Sequence, residues 1–209
     1  TEEVSGKLAP TAGTCMVMGT ASTMACMTEA LGMMLPGGAA IPAVASDRLR
    51  HGEAAGARAV AMAAEGLTPD KIMTPEAFAN AFRILLAIGG STNGLVHMTA
   101  VAGRCGIKVD LEALDRMGQE TPVLVDLKPS GQHYMEDLQN AGGLTPVMRE
   151  LRSLLNLDCL TITGRTLGEN LDAAPAPWPQ DVVKTMNDPI FSAGGIAVLR
   201  GNLAPGGAI

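Results

Sequence analysis

The sequence predicts a helix-rich α/β domain followed by the start of a β-structured unit. Apolar residues recur at helical spacing, between capping signals, over most of the first 155 residues. Short apolar stretches bounded by turn residues predict strands at Val123–Val125 and Leu160–Thr163. A further stretch of this kind, Gly194–Leu203, follows a proline-rich segment and begins the β-structured unit.

Three helices are predicted in the first part of the chain. Residues 22–35 consist of small and methionine side chains and are apolar nearly all round, so this helix should be buried. The second helix covers 47–65 and ends at Gly66. The third covers 76–87 and follows Thr74–Pro75, because proline at the first helical position loses no useful hydrogen bond.

Further helices follow the Gly-Gly-Ser-Thr-Asn run at 89–93. The first of them carries the apolar residues of 95–102, and Asp110 caps another that ends near Gly118. Two short helices are predicted around 134–140 and 145–155.

Proline-rich sequence divides the chain. Residues 173–180 read Ala-Ala-Pro-Ala-Pro-Trp-Pro-Gln, a composition typical of an extended linker. We therefore predict a first domain over 1–172, a linker over 173–193 and the start of a second domain over 194–209. The chain starts at Thr1 without a methionine and stops just as a predicted strand begins, so we expect a segment of a longer protein.

The composition excludes several classes of partner. The 209 residues carry a net charge of −6 and contain no dense run of Lys or Arg, which argues against a nucleic-acid surface. No apolar run reaches the ~18 residues that a membrane span needs. Four cysteines at irregular spacing do not resemble a disulfide framework, so we expect a reducing, cytoplasmic location.

The loop around Cys15 has features that suit a thiolate close to a ligand. Gly13 and Gly19 flank it, and glycine lets a backbone turn tightly and approach a ligand closely. A helix N-terminus follows, which favours a nearby thiolate. Hydroxyl groups suited to capping cluster where this helix starts, at Thr20, Ser22 and Thr23. The spacing leaves a metal ligand, a nucleophile and simple packing open as roles for Cys15.

The other candidate residues have structural interpretations. Cys26, Cys105 and Cys159 belong to no metal-binding pair, and free cysteines commonly pack as small hydrophobic residues. The 89–93 run could cradle an anion, but an inter-helix turn with Ser91 or Thr92 as N-cap is favoured, because the pattern matches neither the Walker nor the dinucleotide-binding fingerprint. His97 is expected to be a hydrogen-bonded core residue.

Five blocks of the sequence, in order, resemble the dehydratase family that includes dihydroxy-acid, phosphogluconate and sugar-acid (aldonate) dehydratases. The GTCMVMGTAST motif is more similar to the sugar-acid branch. In the amino-acid-biosynthetic branch, the corresponding motif typically reads Cys-Gly-Gly followed by an aromatic residue and Asn. The blocks are AGTCMVMGTASTMACMTEALGMMLPG at 12–37, GGSTNGLVHMTAVAGRCGI at 89–107, TPVLVDLKPSG at 121–131, MEDLQNAGGLTPVMREL at 135–151 and GGIAVLRGNLAPGGA at 194–208.

This resemblance implies an α/β/α layered domain, present here only in part, followed by the first strand of a C-terminal β-barrel domain. It also implies an iron–sulfur cluster, usually [2Fe–2S], held by three cysteines of which Cys15 is the last, together with Mg²⁺. The other two cysteines, the magnesium-site residues and the general base would fall outside the chain. Both cofactors would then be incomplete or absent here, and we assign no catalytic residue within the chain. Thr20, Ser22 and Thr23 are expected to line the cluster or the substrate.

The resemblance predicts an enzyme that converts a small-molecule sugar acid to a 2-keto-3-deoxy acid by loss of water. We expect a homodimer or homotetramer, and a chain that is inactive alone. Dihydroxy-acid dehydratase of branched-chain amino-acid biosynthesis is the alternative. A different class is a non-catalytic scaffold, because the apolar 22–35 helix has no obvious cover in so short a chain and could bury against a partner.

Overall fold

The computed structural model describes residues 16–209, and this part of the chain is dominated by α-helices. A short 3₁₀ helix, Arg152–Leu154, follows the eighth α-helix. The described α-helices are α1 (Thr20–Ala30), α2 (Ser46–Glu65), α3 (Pro69–Ile72), α4 (Pro75–Ala87), α5 (Asn93–Arg104), α6 (Leu111–Glu120), α7 (Met135–Asn140), α8 (Thr145–Glu150) and α9 (Leu167–Ala173).

Helix α1 lies at the centre of the fold, packed against α4 and α5. Cys26 and Met27 on this helix are completely buried, as the apolar sequence predicts. The helix ends at Ala30 rather than at 35. Gly32 follows with a φ of +85°, which ends the helical path. A Cβ on Gly32 would lie 3.0 Å from the Leu160 carbonyl oxygen, so the backbone of Leu160 packs directly against this turn.

Two hydrophobic clusters form the core. One joins the inner face of α4 at Ile84 to Leu124 and to helices α7 and α8. The other joins the opposite side of α4, at Phe78 and Leu85, to α5 and to Leu114 of α6. Helix α4 therefore contributes to both clusters, and only a helix that is apolar on more than one face can do this.

The predicted strands at 123–125 and 160–163 do not build a continuous sheet within residues 16–209, and Ile162 and Thr163 lie in a turn. Val123 and Val125 form isolated antiparallel bridges, to Phe191 and Val183 respectively, and Leu160 forms one to Thr166. Each segment pairs at single positions because it is only a few residues long. The helix-rich character of the prediction is confirmed, whereas the layered arrangement remains a prediction.

The C-terminal residues form a hairpin rather than a single strand. Strand β1 (Leu199–Gly201) pairs antiparallel with β2 (Ala204–Ala208), and Gly201 faces Ala204 across the turn. Just before it, the Gly195 N–H donates to the Leu86 carbonyl oxygen at 3.1 Å. A Cβ on Gly195 would lie 2.8 Å from the Gly89 Cα, so the backbones touch there.

Helix α2 matches its prediction and lies on the surface. It ends at Gly66, which has a φ of +66°, and none of its residues is buried. The side chain of Arg58 reaches from it to the Ile162 carbonyl and to Glu65. Among the helices between Thr20 and Ala173, none is both long and apolar enough to cross a membrane.

The proline-rich segment has no helix or strand after Ala173, but it is held in place. The Arg149 guanidinium donates to the carbonyl oxygens of Leu171 and Ala174, at 3.0 and 2.7 Å, and also to that of Pro175. The Trp178 indole N–H donates to the Asn140 carbonyl oxygen at 3.2 Å. The division of the chain at 172 and 193 stays a prediction.

Candidate active site

The start of α1 and the start of α5 meet, although they are far apart in sequence. The Asn93 side-chain amide donates to the Thr20 hydroxyl at 2.8 Å. The Ser91 backbone N–H donates to the Thr23 hydroxyl at 3.0 Å. These contacts join the helix that follows Cys15 to the Gly-Gly-Ser-Thr-Asn turn, so the structure brings together two segments that the sequence analysis singled out.

Two glycines allow this close approach. A Cβ on Gly90 would lie 2.8 Å from Thr23 Cγ2 and 2.9 Å from Leu85 Cδ1. A Cβ on Gly94, in the first turn of α5, would lie 2.9 Å from Thr23 Cγ2 and 2.9 Å from the Met27 sulfur. Any larger residue at either position would push the two helix starts apart.

The Ser22 hydroxyl forms hydrogen bonds at the start of α1 itself. Its hydroxyl accepts from the Gly19 N–H at 3.0 Å and donates to the Val17 carbonyl oxygen at 2.9 Å. Because Gly19 is the residue that precedes the first helical residue, Ser22 caps one of the N–H groups that a helix start leaves without a partner. The capping prediction for this hydroxyl cluster is therefore met by Ser22.

The three predicted lining residues differ in how much of them is accessible. Ser22 is 1% exposed and Thr23 is 0% exposed, and both hydroxyls are committed to protein partners. Thr20 is only partly buried and lies at the surface of the junction. Cys15 falls outside the described residues, so its assignment as a cluster ligand stays a prediction.

A loop from residues far along the chain borders the segment that follows Cys15. The Met18 N–H donates to the Lys128 carbonyl oxygen at 2.8 Å, and the Met135 N–H donates to the Met16 carbonyl oxygen at 2.8 Å. Residues 16–18 therefore lie between the 126–135 loop and the α1–α5 junction. Met18 connects the two sides, because its sulfur accepts from the Thr23 hydroxyl at 3.5 Å.

The junction favours negative charge. The N-termini of α1 and α5 lie side by side, and each carries a partial positive charge from its aligned peptide dipoles. The 89–93 run forms a turn, with Gly89 at a φ of +58° and the Ser91 hydroxyl accepting from the Asn93 N–H at 3.3 Å. Ser91 thus caps the start of α5, as the turn interpretation predicts. His97 is exposed on α5, so its predicted place in the core is wrong.

Glu29 is a buried carboxylate that the sequence analysis missed. It is 3% exposed, and its two oxygens accept from the N–H groups of Gly37 and Ala39, both at 2.8 Å. Burial raises the pKa of the Glu29 carboxyl, although these backbone hydrogen bonds oppose the shift. A Pro-Gly-Gly turn directly after an otherwise apolar helix was the available signal, since its N–H groups need an acceptor.

The described cysteines do not form a metal site. Cys26 is completely buried, Cys105 is exposed and Cys159 is partly buried. Burial, followed by the nearby Glu29 charge, raises the pKa of the Cys26 thiol. Between Met16 and Ile209, no group of three or more His, Cys, Asp or Glu side chains is placed to hold a metal ion. These residues alone therefore do not fit an iron–sulfur cluster or a magnesium ion.

Comparison with known families agrees with the resemblance seen in the sequence. The family described as "Dihydroxy-acid/6-phosphogluconate dehydratase N-terminal" matches residues 1–170. The chain belongs to this family. The match includes Cys15, both segments of the helix junction and the 126–135 loop, so the whole described site lies within it.

Three similar proteins are named dihydroxy-acid dehydratase. The chain is 46% identical over 202 residues to a dihydroxy-acid dehydratase of Caldanaerobacter subterraneus subsp. tengcongensis, covering 96% of this chain and 36% of that protein. It is 46% identical over 201 residues to one of Methanococcoides burtonii, covering 95% and 36%. With one of Acetivibrio thermocellus the identity is 41% over 209 residues, covering 99% and 38%. The chain thus spans just over a third of the length of the curated relatives it matches.

These findings adjust two predictions. The relatives' names favour the dihydroxy-acid alternative over the sugar-acid branch. The scaffold hypothesis loses its premise, because α1 is covered within this chain by α4 and α5 rather than left open for a partner. The family to which the chain belongs is one of dehydratases, which are hydro-lyases.

Proposed function

We propose that the whole protein to which this chain belongs is a dihydroxy-acid dehydratase. The overall reaction removes the hydrogen at C2 and the hydroxyl at C3 of a 2,3-dihydroxy acid as water. The resulting enol tautomerises to a 2-keto acid. The similarity to dihydroxy-acid dehydratases, at 46% identity over 96% of the chain, carries this proposal.

The chain contributes one side of the active site. Cys15 is proposed as one ligand of an iron–sulfur cluster, which would act as a Lewis acid on the departing hydroxyl when bound. Its remaining ligands and the residues for Mg²⁺ would come from outside the chain. The α1–α5 junction contacts the segment that follows Cys15, and partly exposed Thr20 is the best placed of the three hydroxyl residues to face a ligand.

Substrate choice is tested with the full-length protein. We expect kcat/KM for a branched 2,3-dihydroxy acid to exceed that for an aldonate of similar size. The GTCMVMGTAST motif of the Cys15 loop instead favours a higher kcat/KM for the aldonate, so a sugar-acid dehydratase is the second candidate. A preference for the aldonate would replace the proposed substrate while keeping the reaction class.

The role of Cys15 is tested by substitution in the same full-length protein. Cys15→Ser should abolish the visible absorbance of the cluster and the dehydratase activity together. Cys105→Ser is the matched control, because Cys105 is exposed at the far end of α5. A Cys15→Ser protein that keeps its iron, its spectrum and its turnover would refute the assignment. Light scattering of the same sample would show whether the protein is the proposed homodimer or homotetramer.

A further inference from the structure

A small cavity lies where α1, α8 and α9 meet. Its volume is about 20 Å³. About 10–15 Å³ of space, measured with a water-sized probe, is enough for one water molecule, so the cavity can hold one. Polar side chains line it, one from each of the three helices and one from the 160–163 segment, namely Glu29, Thr145, Asn170 and Thr161. In this respect it differs from an apolar cavity, which stays dry.

Within residues 16–209, the hydrogen-bond partners of the Glu29 carboxyl group are both donors. Glu29 is 3% exposed, and its two oxygens accept from the N–H groups of Gly37 and Ala39, each at 2.8 Å. Burial raises the pKa of the Glu29 carboxyl, which favours its protonated form. A protonated carboxyl group carries an O–H that needs an acceptor, and neither N–H group supplies one. The protonated form therefore needs a further partner.

Water suits both forms of this carboxyl group. It donates to the carboxylate, whose oxygens can each accept a second hydrogen bond, and it accepts from the protonated group. A divalent metal ion suits the cavity less well, because calcium and magnesium take about six or more oxygen ligands. Among the described lining residues, Glu29 is the only one with a charged side chain. The lining therefore favours a neutral ligand that both donates and accepts.

Asn170 on α9 supplies a second polar partner. Its side-chain amide donates to the Thr161 hydroxyl at 2.8 Å and accepts from the Thr163 hydroxyl at 3.0 Å. A primary amide has two N–H groups and two acceptor sites, so it can form hydrogen bonds beyond these two. The Thr145 hydroxyl, at the start of α8, is the third partner on the lining. A buried water typically forms about three hydrogen bonds, which matches this number.

A wider cleft adjoins the small cavity. It has a volume of about 430 Å³ and is bordered by Trp178 of the proline-rich segment. Pro36, Thr145 and Asn170 line both spaces, so the two lie side by side. Pro36 and Trp178 are exposed, which opens the cleft to solvent. Water therefore reaches the neighbourhood of Glu29 without the core having to unfold.

We propose that this cavity binds one water molecule, which hydrogen-bonds to Glu29, Asn170 and Thr145. The three partners lie on α1, α9 and α8 respectively, so the water joins three helices that approach one another here. A bridging water forms hydrogen bonds nearly as favourable as direct ones. It also gives the Glu29 carboxyl group a partner in each protonation state.

A crystal structure of the full-length protein, at a resolution that shows ordered water, tests this proposal. We expect an electron-density peak within about 2.5–3.2 Å of both a Glu29 carboxyl oxygen and the Asn170 side-chain amide. An empty cavity would overturn the proposal. Soaking the crystals in thallium(I) distinguishes water from a monovalent cation, and an anomalous peak in the cavity would overturn it as well.

Two variants of Glu29 test the chemical basis of the site. Glu29→Gln keeps a group that both accepts and donates, so the water peak should remain. Glu29→Leu makes the same wall apolar, and the peak should disappear because apolar cavities stay dry. A peak that persists in Glu29→Leu would refute Glu29 as a ligand of the water. If Glu29→Leu does not fold, the crystals of the unmodified protein and of Glu29→Gln still decide whether the water is bound.

Discussion

The Thr23 hydroxyl accepts a hydrogen bond from the Ser91 backbone N–H at 3.0 Å, across 68 residues of sequence. Thr23 is completely buried, so its hydroxyl cannot exchange this partner for water. One threonine therefore joins the helix that follows Cys15 to the turn that begins α5. The strength of the junction depends on this contact and on the glycines beside it.

Removal of the Thr23 hydroxyl should weaken the junction. Thr23→Val keeps the shape of the side chain but leaves the Ser91 N–H without its acceptor, and we expect a loss of about 1–3 kcal/mol in the free energy of unfolding. Urea denaturation of the 209-residue chain measures this. Thr28→Val is the control, since the Thr28 hydroxyl bonds only the Met24 carbonyl of its own helix, at 2.7 Å. Equal losses for the two variants would contradict the importance of the long-range contact.

A methyl group at position 90 should separate the helix starts. Gly90→Ala places a Cβ 2.8 Å from Thr23 Cγ2, and overpacking of this kind costs about 1–3 kcal/mol. Gly103→Ala on α5 meets no atom within 4 Å and should stabilise the helix by about 0.5–1 kcal/mol. Thermal unfolding of both variants provides the comparison. A stable Gly90→Ala chain would mean that the junction can widen without cost.

Glu29 should make stability depend on pH. Its pKa is raised in the folded chain, so the folded state binds the proton more tightly than the unfolded state does. The resulting stabilisation is full below the ordinary carboxyl pKa of 4.5 and is lost as the pH rises through the folded pKa. Relative to Glu29→Gln, the unmodified chain should therefore lose free energy of unfolding as the pH rises above about 4.5. Denaturation curves at several pH values test this, and Glu53→Gln on exposed α2 controls for the loss of one charge. A parallel pH dependence in the unmodified and Glu29→Gln chains would refute it.

Arg149 should hold the proline-rich segment. Arg149→Ala removes the donors to three carbonyl oxygens between Leu171 and Pro175, so this segment should become more sensitive to protease. Arg152→Ala is the control, because its ion pair with Asp172 is exposed and contributes at most about 1 kcal/mol. Mass spectrometry of limited digests locates the cuts. Unchanged cleavage between 174 and 178 in Arg149→Ala would show that Trp178 is sufficient to hold the segment.

The sequence predicted the helices best where local signals were strong. Thr74 and Asp110 cap α4 and α6 through their side chains, and Gly66 ends α2, all at the expected places. The end of α1 was predicted too late, because the close approach of Leu160 to Gly32 is a tertiary contact. Local periodicity carries no information about such contacts.

The sequence predicted individual residues of the candidate site but not the contacts between them. The capping role of the hydroxyl cluster followed from residue type, and Ser22 fulfils it. The pairing of Thr23 with Ser91 and of Met18 with Lys128 could not be read from the sequence, because nothing local fixes which distant backbone groups meet. Glu29 was missed because its carboxylate accepts from the N–H groups of Gly37 and Ala39, which lie beyond the end of its own helix, and helical periodicity does not show which backbone groups fold back onto a helix.

The contact between Gly195 and Gly89 has a consequence for movement within the molecule. The backbone at Gly195 is bonded to Leu86 and rests on the first glycine of the turn that begins α5, and Ile196 is buried directly after it. The earlier residues Val183 and Phe191 are likewise bridged to the extended segment at 123–125. The backbone is held as far as Val198, whose N–H donates to the Asp115 carboxylate at 3.4 Å. If the C-terminal hairpin moved relative to the helices, the chain would bend after Val198, so the positions of Gly89, Ser91 and Thr23 would not follow that movement.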